Sequence, residues 1–315
     1  MKVTEHLARA SAPLISFEIL PPLRGGNIRA LLALMDELIK FKPPFIDITS
    51  HAAEVMYEET PAGIRRRVKR KRPGTLGICA LIQNKYDVDA VPHVICRGFT
   101  REETEDFLIE LRFLAIDNVL AIQGDGGAYD KPLRDGKTAN RFALDLVEQI
   151  TAMNRGQYLE VDLLNAEATE FCVGIAGYPE KHFEAPNLAA DIKHAKAKVD
   201  AGADYIVTQM FYDNAKYFAF VDACRAAGIA VPIIPGLKIL TSAKQLTAVP
   251  RTFFVDIPAA LSDEVMKNPA HAEAIGIEWA ARQSAELLNA KVPSLHFYVM
   301  QNAGAVTKLI DKLQR

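Results

Sequence analysis

The strongest constraint on the fold is a repeated order of strand-like and helix-like segments. Runs rich in Val, Ile, Phe and Thr recur along the chain, and a segment with helical spacing of apolar residues follows each of them. This alternation is typical of βα units around a parallel sheet. The eight strand-like runs are Leu14–Leu20, Phe45–Ser50, Asp89–Ile95, Asn118–Gly124, Glu170–Gly177, Tyr205–Met210, Val231–Leu237 and Leu295–Met300. They predict an α/β fold, a (β/α)8 barrel with extra helices.

The chain length limits the number of domains, and the net charge limits the kind of ligand. The chain has 315 residues, half of them apolar, and no linker-like stretch divides it, so we predict one barrel domain over residues 1–315. A net charge of −2 gives no general attraction to nucleic acid or to an anionic membrane. We therefore expect a small-molecule partner, no nucleic-acid or membrane partner, and a homo-oligomeric assembly.

The cysteines and the amino-terminal residues indicate the cellular compartment in which the protein is expected. The four cysteines form no C-x-x-C pair and lie in apolar stretches, which favours reduced thiols. The first fourteen residues contain no apolar signal-peptide core, and no apolar run is long enough to cross a membrane. We predict a soluble cytoplasmic protein.

Several connecting segments have a recognisable local pattern. Thr100 followed by Glu103 predicts a capping box at a helix start. Residues 126–137, rich in Gly, Asp and Lys, predict a long loop after the fourth strand. Seven of the eight residues Arg65–Arg72 are basic, and we interpret them as a solvated helix face. The segment Cys79–Tyr86 fits a helix or a strand equally well.

Polar residues at the carboxyl ends of the strands are the candidate site residues, because that end of a (β/α)8 barrel carries the active site. Glu18 lies between Phe17 and Ile19, and an apolar setting disfavours the ionised carboxylate, as a general acid near neutral pH requires. A salt-bridged structural glutamate is an equal alternative. No His or Cys pattern has metal-ligand spacing, so we predict no metal site. Gln209, beside aromatic residues, could bind a planar heteroaromatic ligand.

An ordered set of motifs adds a family resemblance to this interpretation. The motifs are S-F-E-I-L-P-P (16–22), P-H-V-I-C (92–96), G-D (124–125), A-G-Y-P-E-K-H (176–182), K-V-D-A-G-A (198–203), T-Q-M-F-Y-D (208–213), I-P-G (234–236) and L-H-F-Y (295–298). Together they resemble the methylenetetrahydrofolate reductase family over about residues 14–302. The resemblance implies a flavoprotein that passes a hydride from NADH or NADPH through FAD to 5,10-methylenetetrahydrofolate and forms 5-methyltetrahydrofolate.

The resemblance also implies roles for individual residues. Glu18 matches the general acid that helps open the five-membered ring of the folate, and Asp125 matches an aspartate close to both flavin and pterin. The positions expected to bind cofactor are Thr49, Ala52, His93, Gln123, Gly124, Asp125, Ala143, Tyr178, His182, Ala185, Asp191, His194 and Lys198. The positions expected to bind folate are Gln209, Gln245 and Tyr298.

Four departures from the family pattern fall on the cofactor side. Gln123 and Ala197 stand where the family usually has arginine, Ser50 where it has tyrosine, and His194 where it has asparagine. Each lost guanidinium contact with a phosphate is worth roughly 1.5–3 kcal/mol. Three alternatives therefore stay open beside the FAD enzyme: a reductase that binds FAD weakly or uses nicotinamide directly, a non-catalytic folate-binding protein, and a barrel lyase or aldolase with Lys238 as its Schiff-base lysine.

Overall fold

A computed structural model describes residues 1–124, 131–133 and 135–314. The strands are β1 (Leu14–Ile19), β2 (Phe45–Ile48), β3 (Glu54–Thr60), β4 (Gly63–Lys69), β5 (Asp89–Ile95), β6 (Asn118–Ile122), β7 (Cys172–Gly177), β8 (Tyr205–Thr208), β9 (Ile233–Ile234), β10 (Gly236–Leu237) and β11 (Ser294–Met300). The helices are α1 (Val3–Arg9), α2 (Ile28–Leu38), α3 (Leu76–Tyr86), α4 (Arg101–Phe113), α5 (Ala143–Met153), α6 (Leu188–Asp200), α7 (Asn214–Ala226), α8 (Gln245–Phe253), α9 (Ala259–Lys267), α10 (Ala272–Asn289) and α11 (Gly304–Leu313).

The main sheet is a parallel barrel, as the sequence predicts. Its nine strands follow the order β10-β11-β1-β2-β5-β6-β7-β8-β9. Pro235 alone separates β9 from β10, and because proline has no N–H it interrupts the ladder inside what the sequence shows as one strand. The Pro235 carbonyl accepts a hydrogen bond from the His296 N–H at 3.0 Å, and the Gly236 N–H donates to Thr208 Oγ1 at 2.9 Å. Residues 233–237 therefore join β8 to β11.

Alternation along each strand separates the inside of the barrel from the helix-covered outside. On β2, Ile46 and Ile48 pack with the apolar side chains of α2 in the large outer core, whereas Phe45 belongs to a smaller inner cluster with Val91 and Tyr205. Successive side chains of a strand point to opposite faces. The inner positions of β1 and β2 therefore include Glu18 and Asp47, which are paired in register.

The connecting helices begin where the sequence predicts. Thr100 and Glu103 form the capping box of α4, with the Glu103 N–H donating to Thr100 Oγ1 at 3.2 Å. Residues 76–86, ambiguous in sequence, form helix α3. The described residues between β6 and α5 form neither helix nor strand, in agreement with the predicted long loop. Among the described residues, no helix is both long and apolar enough to cross a membrane.

The interpretation of Arg65–Arg72 as a helix face is wrong. Most of that run lies on β4, which pairs with β3 as an exposed antiparallel hairpin. The pairing places Lys69 opposite Glu54 and Arg65 opposite Glu58, and Arg67 lies 3.3 Å from Glu58 on the diagonal. Opposite charges across the two strands stabilise an extended pair.

Gly276 allows helix α10 to approach the chain just beyond β10. A Cβ at this position would lie 1.8 Å from the Leu240 carbonyl oxygen. We expect Gly276→Ala to lower the free energy of unfolding by about 2 kcal/mol through overpacking, measured by chemical denaturation.

Gly77 provides a matched control for this substitution. It lies in α3, and nothing lies within 4 Å of the position of its added Cβ. Gly77→Ala should instead stabilise the protein by roughly 0.4–1 kcal/mol. Equal effects of the two substitutions would show that the approach of α10 to Leu240 is not a tight one.

Candidate active site

Glu18 lies near the carboxyl end of β1, inside the barrel. Its register partners are Asp47 on β2 and Tyr298 on β11. Its side chain is only 12% exposed. The apolar setting predicted from Phe17 and Ile19 is only part of the description, because those two side chains point into the outer core and the inner neighbours of Glu18 are polar.

His93 on β5 lies between two carboxylates. Its Nε2 atom is 3.5 Å from Glu18 Oε2 and 3.6 Å from Asp47 Oδ2. The imidazole is 5% exposed and the Asp47 side chain 1% exposed, so the three groups interact in a region largely closed to water. Electrostatic interactions are strong at such sites because solvent screens them poorly.

Asp47 is the most deeply buried carboxylate of this group. Desolvation raises its pKa to about 6, and the neighbouring His296 partly opposes that rise. Neither carboxylate oxygen of Asp47 has a hydrogen-bond partner within the described part of the chain. His296, itself fully buried, is 2.9 Å from Ser16 Oγ through Nδ1, and burial lowers its pKa while Asp47 raises it.

A cavity of about 670 Å³ lies between the β10–β11 end of the barrel and helices α8 and α11, and Glu18 is not among its lining residues. Lys238 and Tyr298 line it, and each interacts electrostatically with Glu18. Burial lowers the pKa of Lys238, and the Glu18 carboxylate raises it in part. Gln245, predicted to bind folate, also lines this cavity.

All three side chains predicted to bind folate already make hydrogen bonds within the protein. Tyr298 donates its hydroxyl to the Thr208 carbonyl at 2.6 Å, and Gln245 Oε1 accepts from the Thr241 N–H at 2.6 Å. Gln209, just beyond β8, accepts the Met210 N–H on Oε1 at 2.9 Å. These contacts fix the orientations of the side chains, and they leave the amide nitrogens of Gln209 and Gln245 as the groups available to a ligand.

A second cavity, of about 520 Å³, gathers most of the residues predicted to bind cofactor. Eight of them line it: Gln123, Ala143, Tyr178, His182, Ala185, Asp191, His194 and Lys198. They come from the ends of β6 and β7 and from helices α5 and α6. Residues far apart in sequence thus form one surface, as the resemblance implies.

The charge distribution of this second cavity is uneven. Of the described residues that line it, Lys198 is the one side chain with a permanent positive charge, and Asp145, Glu184 and Asp191 are acidic. Burial lowers the pKa of Lys198, while Asp191 raises it. The first residues of α5 also line the cavity, and the amino end of a helix attracts phosphate groups through its free N–H groups.

The other predicted residues lie elsewhere. Thr49 and Ala52 follow β2 and line neither of these two cavities, while His93 contacts Glu18 instead. Gly124 follows β6 with a positive φ of 93°. Asp125 lies outside the described residues. The described side chains contain no group of three or more His, Cys, Asp or Glu arranged to hold a metal ion.

Sequence reasoning did not single out Asp47 and His296. Asp47 is the one charged residue in a strand of otherwise apolar side chains, Phe45–Ile48, and that isolation is a signal of a buried functional or structural carboxylate. His296 lies within the L-H-F-Y motif, of which Tyr298 alone was assigned a role. The proximity of these residues depends on the order of the strands, which places β11 and β2 on either side of β1.

Comparison with known proteins shows the family of the chain. The family model described as "Methylenetetrahydrofolate reductase" matches residues 2–314. The chain belongs to the methylenetetrahydrofolate reductase family. It is 32% identical to methylenetetrahydrofolate reductase 1 of Schizosaccharomyces pombe, over 95% of this chain and 45% of that protein. It is 30% identical to 5,10-methylenetetrahydrofolate reductase of Salmonella typhimurium, over 92% of this chain and 86% of that protein.

Relative lengths differ within the family. The chain spans about half the length of the curated relatives that it first matches, such as the S. pombe protein at 45%. A solved structure described as "Uncharacterized protein from Clostridium thermocellum binds two copies of 5-methyl-5,6,7,8-tetrahydrofolic acid" has a TM-score of 0.56, with 12% identity and 99% coverage of both chains. That likeness concerns the fold, and it agrees with the parallel barrel.

Proposed function

We propose that this chain, acting as one barrel domain, reduces 5,10-methylenetetrahydrofolate to 5-methyltetrahydrofolate with NADH or NADPH as the hydride source. The observation that carries the proposal is the placement of Glu18. Its carboxyl group lies at the active-site end of the barrel and interacts with Lys238 and Tyr298 on the wall of a 670 Å³ cavity. Family membership supplies the reaction class that this geometry supports.

In this proposal Glu18 is the general acid. Opening the five-membered ring of the substrate requires a proton on the departing nitrogen, and the ring-opened iminium ion is the hydride acceptor. The Glu18 side chain is 12% exposed, and burial of a carboxyl group disfavours its ionised form. The folate would occupy the cavity lined by Gln245, Lys238 and Tyr298.

The second cavity fits FAD in part. Lys198 and the amino end of α5 would hold the diphosphate, and Tyr178 and Ala143 would line the rest. Bound FAD supplies a carrier that accepts a hydride from nicotinamide and donates it to folate. The acidic groups Asp145, Glu184 and Asp191 reduce the attraction of this surface for phosphate.

A second candidate function is direct hydride transfer from nicotinamide to folate, with weak flavin binding or none. The observation that favours it is the single permanent cation among the described residues that line the cofactor cavity. Gln123 lines the same cavity where the family pattern has arginine, so a charge-assisted contact with phosphate is missing.

Reconstitution separates the two candidates. The purified protein is mixed with FAD, freed of unbound flavin and assayed for nicotinamide oxidation with and without methylenetetrahydrofolate, with product identified by mass spectrometry. Bound flavin with folate-dependent turnover supports the first candidate, and turnover without flavin supports the second. Folate binding without turnover under both conditions would overturn both in favour of a non-catalytic folate-binding protein.

Gln123→Arg should strengthen FAD binding. The new guanidinium would supply one charge-assisted contact at the wall of the cofactor cavity, which predicts roughly a tenfold lower dissociation constant. Flavin titration by fluorescence measures the change. Arg141→Gln, at an exposed residue outside the lining of that cavity, is the control for altered surface charge. An unchanged dissociation constant for Gln123→Arg would mean that other groups already satisfy the phosphates.

A further inference from the structure

The inner layer of the barrel holds a buried group of ionisable side chains directly beneath Glu18. Asp47 on β2, His93 on β5 and His296 on β11 are all buried, and they lie close together because β11, β1, β2 and β5 are successive strands of the sheet. A single ring atom, His93 Nε2, lies 3.5 Å from Glu18 and 3.6 Å from Asp47. The two carboxylate oxygens are therefore no farther apart than the sum of those distances.

One imidazole nitrogen carries one hydrogen, so His93 can donate from Nε2 to only one of the two carboxylates at a time. Asp47 is the more deeply buried of the two, with 1% exposure against 12% for Glu18. Neither Asp47 oxygen accepts a hydrogen bond from a described residue, so an ionised Asp47 acts on its neighbours as a buried charge.

From this geometry we propose that Asp47 is a positioning residue whose buried charge, on the other side of His93, keeps Glu18 in its protonated, proton-donating form. This inference rests on the proposed function only in one respect, namely that the Glu18 proton serves to open the five-membered ring of the folate. At neutral pH the Asp47 charge also disfavours a second negative charge on Glu18, since two nearby carboxylates in a poorly solvated region do not both ionise readily.

Other ionisable groups also face Asp47 and Glu18. Around Asp47 are His296, the Tyr205 hydroxyl on β8, the Tyr298 hydroxyl on β11 and the Cys79 thiol of α3. Burial lowers the pKa of His296 and raises those of Tyr205 and Cys79, so all three are neutral near pH 7.

Lys238 and Tyr298 face Glu18. Lys238 is the one cation among them, and it favours an ionised Glu18. The balance at Glu18 is thus between Lys238 on the cavity side and Asp47 on the inner side. Removal of the Asp47 charge should favour the Glu18 carboxylate, which Lys238 stabilises.

The test is Asp47→Asn, which removes the charge and keeps the shape. Glu18 should lose its proton about one pH unit lower than in the unaltered protein. Carbon NMR of protein labelled at glutamate carboxyl groups follows this titration without substrate, and the Glu18 signal is identified by its absence in Glu18→Gln. The alkaline limb of the pH profile for folate reduction should move to lower pH by the same amount.

Asp204→Asn is the matched control, because Asp204 is also a carboxylate whose pKa burial raises, yet it accepts the Val173 N–H at the opposite end of the barrel. It should leave the Glu18 titration unchanged. An unmoved Glu18 titration in folded Asp47→Asn would overturn the inference. Asp47→Ser is the second neutral substitution if the Asn variant does not fold, and loss of fold in both would make Asp47 a structural residue only.

The NMR titration also separates this inference from the proposed function. If the protein does not reduce folate but the Glu18 titration shifts in Asp47→Asn, the inference about Asp47 stands and the proposed reaction is wrong. Turnover with an unshifted titration would do the opposite.

Discussion

Glu18→Gln is expected to lower the rate of methylenetetrahydrofolate reduction by about 10²–10⁴-fold while nicotinamide oxidation by an artificial quinone acceptor persists. Ring opening requires a proton, and general-acid catalysis contributes a factor of that size. Glutamine keeps the size and hydrogen-bonding capacity of the side chain near His93 but cannot deliver the proton. Steady-state rates with each acceptor, in the presence of the same nicotinamide, measure the difference.

A matched control separates loss of the proton from a general effect of the substitution. Glu110 is an exposed glutamate on α4, outside the barrel interior, and Glu110→Gln should leave both rates unchanged. Equal loss of the folate and quinone activities in a folded Glu18→Gln protein would mean that Glu18 acts in cofactor binding or in structure, and the assignment of the acid would be wrong.

The barrel could be predicted from sequence because the sequence signals of its strands and helices are local. Each strand is a short run of β-branched and aromatic residues, and each helix carries its own start signal, as Thr100 and Glu103 show for α4. The prediction of a helix face at Arg65–Arg72 was wrong because a run of like charges has no hydrophobic periodicity that distinguishes a strand from a helix. The acidic residues of β3, such as Glu58 opposite Arg65, reveal the pairing only when the two segments are compared.

A smaller part of the site than of the fold could be predicted from the sequence. Glu18 could be found because it lies at a strand end, where barrel topology places chemistry. The interaction of Asp47, His93 and His296 could not, since 203 positions separate His93 from His296 and only the strand order β11-β1-β2-β5 brings them together. An isolated Asp in an apolar strand predicts burial, but it does not name the partner that the fold will supply.

Lys198→Met is expected to weaken FAD binding about 100-fold, the largest effect that we expect at the cofactor cavity. Lys198 is the one permanent cation among the described residues of that cavity, and Asp191 lies close enough to raise its pKa. Loss of a poorly solvated charge-assisted contact costs about 3 kcal/mol, which corresponds to that factor. Methionine keeps the length of the apolar stem, so packing against β7 is preserved.

Flavin titration of purified protein, followed by fluorescence, measures this loss independently of turnover. Lys193→Met is the matched control, because Lys193 lies on the same helix α6 but is exposed and does not line the cavity. It should bind FAD as the unaltered protein does. Unchanged affinity in Lys198→Met would place the diphosphate elsewhere. If Lys198→Met instead leaves folate reduction intact while flavin is lost, hydride passes directly from nicotinamide to folate, and the cavity around Lys198 has become dispensable for the reaction.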